Sequence, residues 1–222
     1  MENEFTFALG PVVISLSIIT TWGIMLVIMV MAWLSTRHLN MLRPGTMQTI
    51  VEGIVATIDE AITAVAPEHG RQIMPFISTL WLFLIIANLI SLIPGLDSPT
   101  RDLSVTSALA IIVFFSVHWF GIKAQGLKNY LHHYLSPSPI LLPFHIISEL
   151  TRTLALAIRL FGNMMSLEMA AMLILLVAGF LAPIPILMLH IIEALVQAYI
   201  FGMLALIYVA GAIQSQQLNS QE

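Results

Sequence analysis

Cysteine is absent from the 222 residues, so the chain can form neither a disulfide nor a thiolate metal site. Charge is scarce. Asp, Glu, Lys and Arg make up 9% of the residues, against about 25% in soluble domains. The net charge of −4 is spread thinly, which leaves no basic face for nucleic acid. The opening MENEFTF is acidic and no Arg-rich, Ser-rich transit segment follows. The apolar run behind it is too long for a signal-peptide core and reads as a retained transmembrane helix. What remains is apolar: 59% hydrophobic residues and a mean hydropathy of +0.95. Thirteen methionines suit adaptable packing between helices in lipid. The expected fold is all-α, one polytopic membrane domain over 1–222, with no catalytic residue, no metal and no cofactor.

The runs of uncharged residues set the expected spans. The first covers 10–36, opened by Gly10-Pro11 and followed by Arg37, His38 and Arg43. The positive-inside rule puts that end in the cytoplasm and the N-terminus outside. Residues 46–66 place Ile50, Ile54, Ile58, Ile62 and Val65 on one helical face, with Glu52, Asp59 and Glu60 elsewhere. That pattern is too polar to span and predicts an interfacial helix. Spans at 73–96 and 103–122 should pack as an antiparallel hairpin, because the connection between them is short. Asn88 lies deep in the former, where an amide side chain ordinarily bonds a neighbouring helix. Lys123 and Lys128 return the chain to the cytoplasm. The stretch 125–143 holds prolines, tyrosines and His132-His133. Adjacent histidines diverge by about 100° on a helix, so they do not converge on a metal. His118 reads as interfacial. Two long helices follow, 144–178 and 186–213, with a polar C-terminal tail placed in the cytoplasm. The first would measure roughly 50 Å at 1.5 Å per residue, too long to cross upright.

These last two helices hold the chemistry. Arg159 stands in an apolar run with no acid three or four residues away. A charge at mid-bilayer costs about 2.5–3.5 kcal/mol even on lenient scales, so such a residue ordinarily faces a protein interior or an aqueous cavity. Spacings of seven and four put Arg152, Arg159 and Asn163 on one stripe, which Ser148 extends. Glu168, nine residues past Arg159, falls on the opposite face about 13 Å further along. The two are expected to be separate stations and not one ion pair. On the last helix His190, Glu193 and Gln197 share a face at i, i+3, i+7. If the helices form a hairpin, Glu168, His190 and Glu193 reach similar depth. They would then form a titratable cluster in the outer half of the membrane, suited to passing protons. Gln197 would sit near the depth of Arg159 and offer it a carbonyl acceptor.

LALAIRLFGNMMSLE followed by HIIEALVQAYIF resembles the a subunit of the rotary F-type ATP synthase, in its bacterial form. PFISTLWLFLIIANLISLIPGL and SPILLPFHIISELTRTLAL are similar to earlier segments of that subunit. The likeness covers roughly residues 44–209. It implies that Arg159 is the essential stator arginine, with Asn163, Glu168, His190 and Gln197 at functional positions. It further implies a ring of c subunits against the last two helices, the b subunits of the peripheral stalk and other synthase subunits as partners, and a bacterial inner membrane as location. Departures from the family pattern are Leu167 where glycine is usual, Arg152-Thr153 where Lys-Pro is common, and the extra carboxylate of Glu193. The TTWGIM stretch and the polar tail point to a variant branch, so the coupling ion is H⁺ or Na⁺. The implied role is ion translocation without bond chemistry. An outer half-channel would use Glu168, His190 and Glu193, and an inner one would open near Ser148, Glu149 and Arg152. A self-contained channel or secondary transporter should show internal repeats, and none is present. A passive membrane anchor would leave Arg159 unexplained.

Overall fold

The computed structural model describes residues 7–9, 12–14, 16–37, 45–93, 96–127, 130, 142–178 and 183–214. Residues 1–6, Gly10-Pro11, His38, Arg43, Pro94-Gly95, Lys128, His132-His133 with the loop around them, residues 179–182 and the tail 215–222 lie outside the described residues.

Among the described residues there are six α-helices: α1 Leu16–Arg37, α2 Thr46–Val65, α3 Gly70–Leu89, α4 Leu103–Gln125, α5 Leu142–Ala178 and α6 Pro183–Gln214. Short 3-10 turns at Ile90–Leu92 and Pro99–Arg101 join α3 to α4. All but α2 are long and apolar enough to cross a membrane. The chain is an all-α polytopic membrane protein. Among the described residues the only strands are three residues each, Phe7–Leu9 and Val12–Ile14, paired antiparallel. The helix expected from position 10 therefore starts at Leu16. The β-branched run Val12-Val13-Ile14 favours extended backbone, and Pro11 has no N–H to give a helical ladder.

Helix α2 buries one face. Ile58, Ile62 and Ala66 are covered, while Glu52, Asp59 and Glu60 are exposed. It packs on α3, where Gly70 lies beside Ile62. Ile58 and Ile62 follow the expected stripe, whereas Ile50 and Ile54 at its other end are exposed.

The centre of the bundle is α6. It packs against α3 on one side and against α4 and α5 on the other. Helices α3 and α4 thus do not form the expected hairpin. They hardly touch, with Phe76 and Phe120 meeting at 6.0 Å between ring centroids. The cause lies in α6, whose small residues Ala194, Ala198, Gly202 and Ala205 are buried. Small side chains let backbones approach closely in lipid. At Gly202 the approach is extreme: a Cβ would lie 1.7 Å from Trp81 Nε1. Trp81 stacks on Tyr199 at 6.1 Å and donates to the Tyr199 carbonyl at 3.4 Å. Helix insertion between α3 and α4 replaces the pairing that a short connection suggests.

Helices α1 and α5 are the least covered. Only 11% and 17% of their apolar windows are buried, against 50% in α6. Their outer faces carry Trp22, Met25, Met29 and Trp33 on α1, and Leu154, Ile158, Met169, Leu173 and Leu176 on α5. Apolar surface on that scale marks lipid or protein contact.

Candidate functional site

Arg159 lies on the exposed face of α5, next to exposed Ile158 and a turn from Leu154. The opposite face is anchored by buried Leu156, Ala157, Leu160 and Met164. The 3.6-residue period leaves Arg159 no room in that buried stripe. It makes no hydrogen bond or ion pair among the described residues.

One turn on, Asn163 Nδ2 donates to Gln197 Oε1 at 2.7 Å. Gln197 is 1% exposed, and its Nε2 has no partner among the described residues. The acceptor that the sequence offered to Arg159 is thus taken by Asn163. Gln197 binds α5 to α6 without touching the arginine.

The groups expected in the outer half of the membrane have different neighbours. Glu168 is held by Arg101 of the α3–α4 connection, whose guanidinium also lies 3.5 Å from Asp97. His190 is buried and its Nε2 lies 2.9 Å from Ser91 Oγ. Ser91 Oγ also donates to the Asn88 carbonyl at 3.1 Å. Glu193 is half-buried and has no partner among the described residues. No hydrogen bond joins Glu168, His190 and Glu193 in the described structure. Glu168 and His190 are each held by a different neighbour.

Behind these groups lies a buried polar network. Asn88 Nδ2 donates to the Ala194 carbonyl at 3.2 Å, and Thr100 Oγ1 donates to Asn88 Oδ1 at 2.8 Å. Ser98 Oγ donates to the Ala87 carbonyl at 2.7 Å. It ties the α3–α4 connection to α3 and α6 and satisfies the buried amide. Ser91, Ser98, Thr100 and Arg101 were not singled out in the sequence. The available signal was Arg101, the only Lys or Arg between Arg71 and Lys123.

At the other end, Glu149, Arg152, Thr153 and Leu156 of α5 line a small cleft with Val113 and Phe114 of α4 and Tyr208 of α6. Arg152 sits over the Tyr208 ring at 5.4 Å, a favourable cation–π geometry. Ser148 is exposed and does not line it. His118 bonds the Phe114 carbonyl through Nδ1 at 2.8 Å.

This architecture defines a multi-pass helical membrane protein with its intramembrane polar groups gathered on α5, α6 and the α3–α4 connection. A family described as ATP synthase A chain matches residues 18–210. The chain is 65% identical over 213 residues to ATP synthase subunit a 2 of Pelobacter propionicus, covering 96% of this chain and 93% of that protein. It is 58% identical over 218 residues to ATP synthase subunit a of Legionella pneumophila, 98% and 95% covered. To ATP synthase subunit a 1 of Hahella chejuensis it is 66% identical over 206 residues, 93% and 87% covered. The chain belongs to the ATP synthase A chain family and is a membrane-sector subunit of an ATP synthase complex.

Proposed function

We propose that this subunit is the stator of the membrane motor and conducts H⁺ or Na⁺ through two offset half-channels to and from carboxylates on a c-ring. The observation that carries the reading is Arg159, a charged side chain without a partner among the described residues, on an exposed apolar face of α5. A guanidinium is charged at every accessible pH, and leaving it alone in lipid is costly. A counter-ion supplied by another chain removes that cost. A ring carboxylate arriving beside Arg159 would be stabilised as an anion and would release its ion. The same positive charge repels free cations and so blocks leakage between the half-channels. Each elementary charge crossing 100 mV supplies about 2.3 kcal/mol, which becomes torque on the ring.

The inner half-channel uses the cleft lined by Glu149 and Arg152, with Ser148 at its rim. The outer one runs past Glu168, His190 and Glu193. Asn163 and Gln197 hold α5 against α6 where Arg159 works. The b subunits and the remaining synthase subunits contact other faces, in a bacterial inner membrane with the N-terminus outside and the C-terminus in the cytoplasm. In assembled complex, Arg159→Ala should reduce ion-coupled ATP synthesis to background while the subunit still co-purifies with the ring. Normal coupled synthesis in that variant would refute the assignment.

A further inference from the structure

Arg101 has no part in the mechanism above, yet it is the residue that holds Glu168. It sits at the end of the Pro99–Arg101 turn, which packs against α1, α3, α4 and α5. The turn is rigidly built. Pro99 and Thr100 are buried, and Asp102 caps α4 through the Ser104 N–H at 2.9 Å. Arg101 and Glu168 are partly buried, at 29% and 21% side-chain exposure, and Asp97 is exposed at 55%. With Asp97 and Glu168 ionised and Arg101 charged, the three side chains sum to −1. A fixed cation thus stands between two carboxylates at the outer end of α5.

Among the described residues the other titratable groups at this end are Asp102, His190 and Glu193. Asp102 is engaged at its cap, and His190 is bonded to Ser91. The charged residues of α1, α3 and α4, namely Arg37, Arg71 and Lys123, lie at the far ends of those helices.

We propose that Arg101 is a positioning residue of the outer half-channel: it clamps Glu168 in place and its charge sets how readily cations accumulate at the mouth. This rests on the reading of Glu168 as an outer-path group. A cation arriving from outside meets a site of net charge −1. Removing the guanidinium makes it −2, and removing the Asp97 charge makes it neutral. Partial burial limits screening at Glu168, while exposed Asp97 is screened more strongly.

The test uses the whole complex in proteoliposomes, with the ATP-synthesising sector outward and a fixed K⁺–valinomycin potential. Initial ATP synthesis rates are measured against luminal pH without Na⁺, and against luminal NaCl at constant pH. For the ion that drives synthesis, Arg101→Gln should lower the half-saturating concentration by roughly three- to tenfold and lower the maximal rate. Asp97→Asn should raise the half-saturating concentration, by less. Arg101→Lys should stay within about twofold of the parent, since the charge is kept. In a Glu168→Gln background, where Arg101→Gln takes the remaining pair from 0 to −1, the shift in half-saturation should keep its direction, while the effect on the maximal rate should vanish because no carboxylate is left to clamp. Unchanged half-saturation in both Arg101→Gln and Asp97→Asn overturns the proposal, as does a fall in maximal rate alone. If Arg101→Gln does not assemble, Asp97→Asn decides, and an unmoved profile is the negative result. Full activity of Glu168→Gln across the titration would instead remove the outer-path reading itself. An impaired Glu168→Gln beside an unshifted Arg101→Gln would remove only the role given to Arg101.

Discussion

Asn163 and Gln197 are joined by a 2.7 Å hydrogen bond between α5 and α6, one turn from Arg159. The bond fixes the two long helices against each other at the depth of the guanidinium, and it leaves Gln197 Nε2 buried without a partner among the described residues. Removing either side chain should loosen the helix pair where Arg159 works. Asn163→Ala and Gln197→Ala are each expected to cut the maximal rate of coupled ATP synthesis with the complex still assembled. A double-mutant cycle on thermal stability should return a coupling of about 0.6 kcal/mol, the typical value for interhelical hydrogen bonds in membranes. A coupling of zero would show that the two side chains act separately.

The close approach of α6 to α3 gives a steric prediction. A methyl group at Gly202 would collide with Trp81 Nε1, whereas one at Gly23 or Gly53 would meet nothing within 4 Å. Gly202→Ala should therefore sharply reduce the amount of subunit recovered in the membrane-bound complex. Gly23→Ala should leave it unchanged. Equal recovery of both variants would mean that α3 and α6 are further apart than described. The measurement is subunit content after solubilisation.

Asn88 serves two partners, the Ala194 carbonyl and the Thr100 hydroxyl. Asn88→Leu removes both bonds from a buried site, at about 1–3 kcal/mol for a group left unsatisfied, although the Thr100 hydroxyl keeps its contact with Ser98 Oγ at 2.6 Å. Thr100→Val removes the bonds to Asn88 Oδ1 and Ser98 Oγ but leaves Asn88 bound to the Ala194 carbonyl. Thermal dissociation of the subunit should occur at a lower temperature for Asn88→Leu than for Thr100→Val, and both should fall below the parent. The reverse order would move the anchoring role to the turn.

The cleft at Glu149 and Arg152 can be mapped without background, because the chain has no cysteine of its own. Thr153→Cys and Val113→Cys, both lining the cleft, should react with a charged thiol reagent added from the cytoplasmic side, and reaction should inhibit coupling. Ile158→Cys, on the exposed apolar face of α5, should stay unreactive. Labelling of Thr153→Cys only from the opposite side would invert the proposed polarity of the half-channels.

Much of this protein was legible as one-dimensional pattern. Uncharged runs long enough to span a bilayer stand out where charge is so sparse, and the period of Ile58 and Ile62 predicts which face of α2 is covered. The isolation of Arg159 is a sequence fact, since no acid stands a helical turn away. The family followed from contiguous residues around that arginine. Periodicity orients a residue on its own helix, but it carries no information on which helix lies opposite. That is why the expected α3–α4 hairpin gave way to α6 lying between them, through Ala194, Ala198 and Gly202. It is also why Gln197 was matched with Arg159 by depth and is found bonded to Asn163. The contacts of Glu168 with Arg101 and of His190 with Ser91 cross 67 and 99 residues of chain. Such pairs are decided by helix rotation and side-chain reach, which arise only when the helices pack.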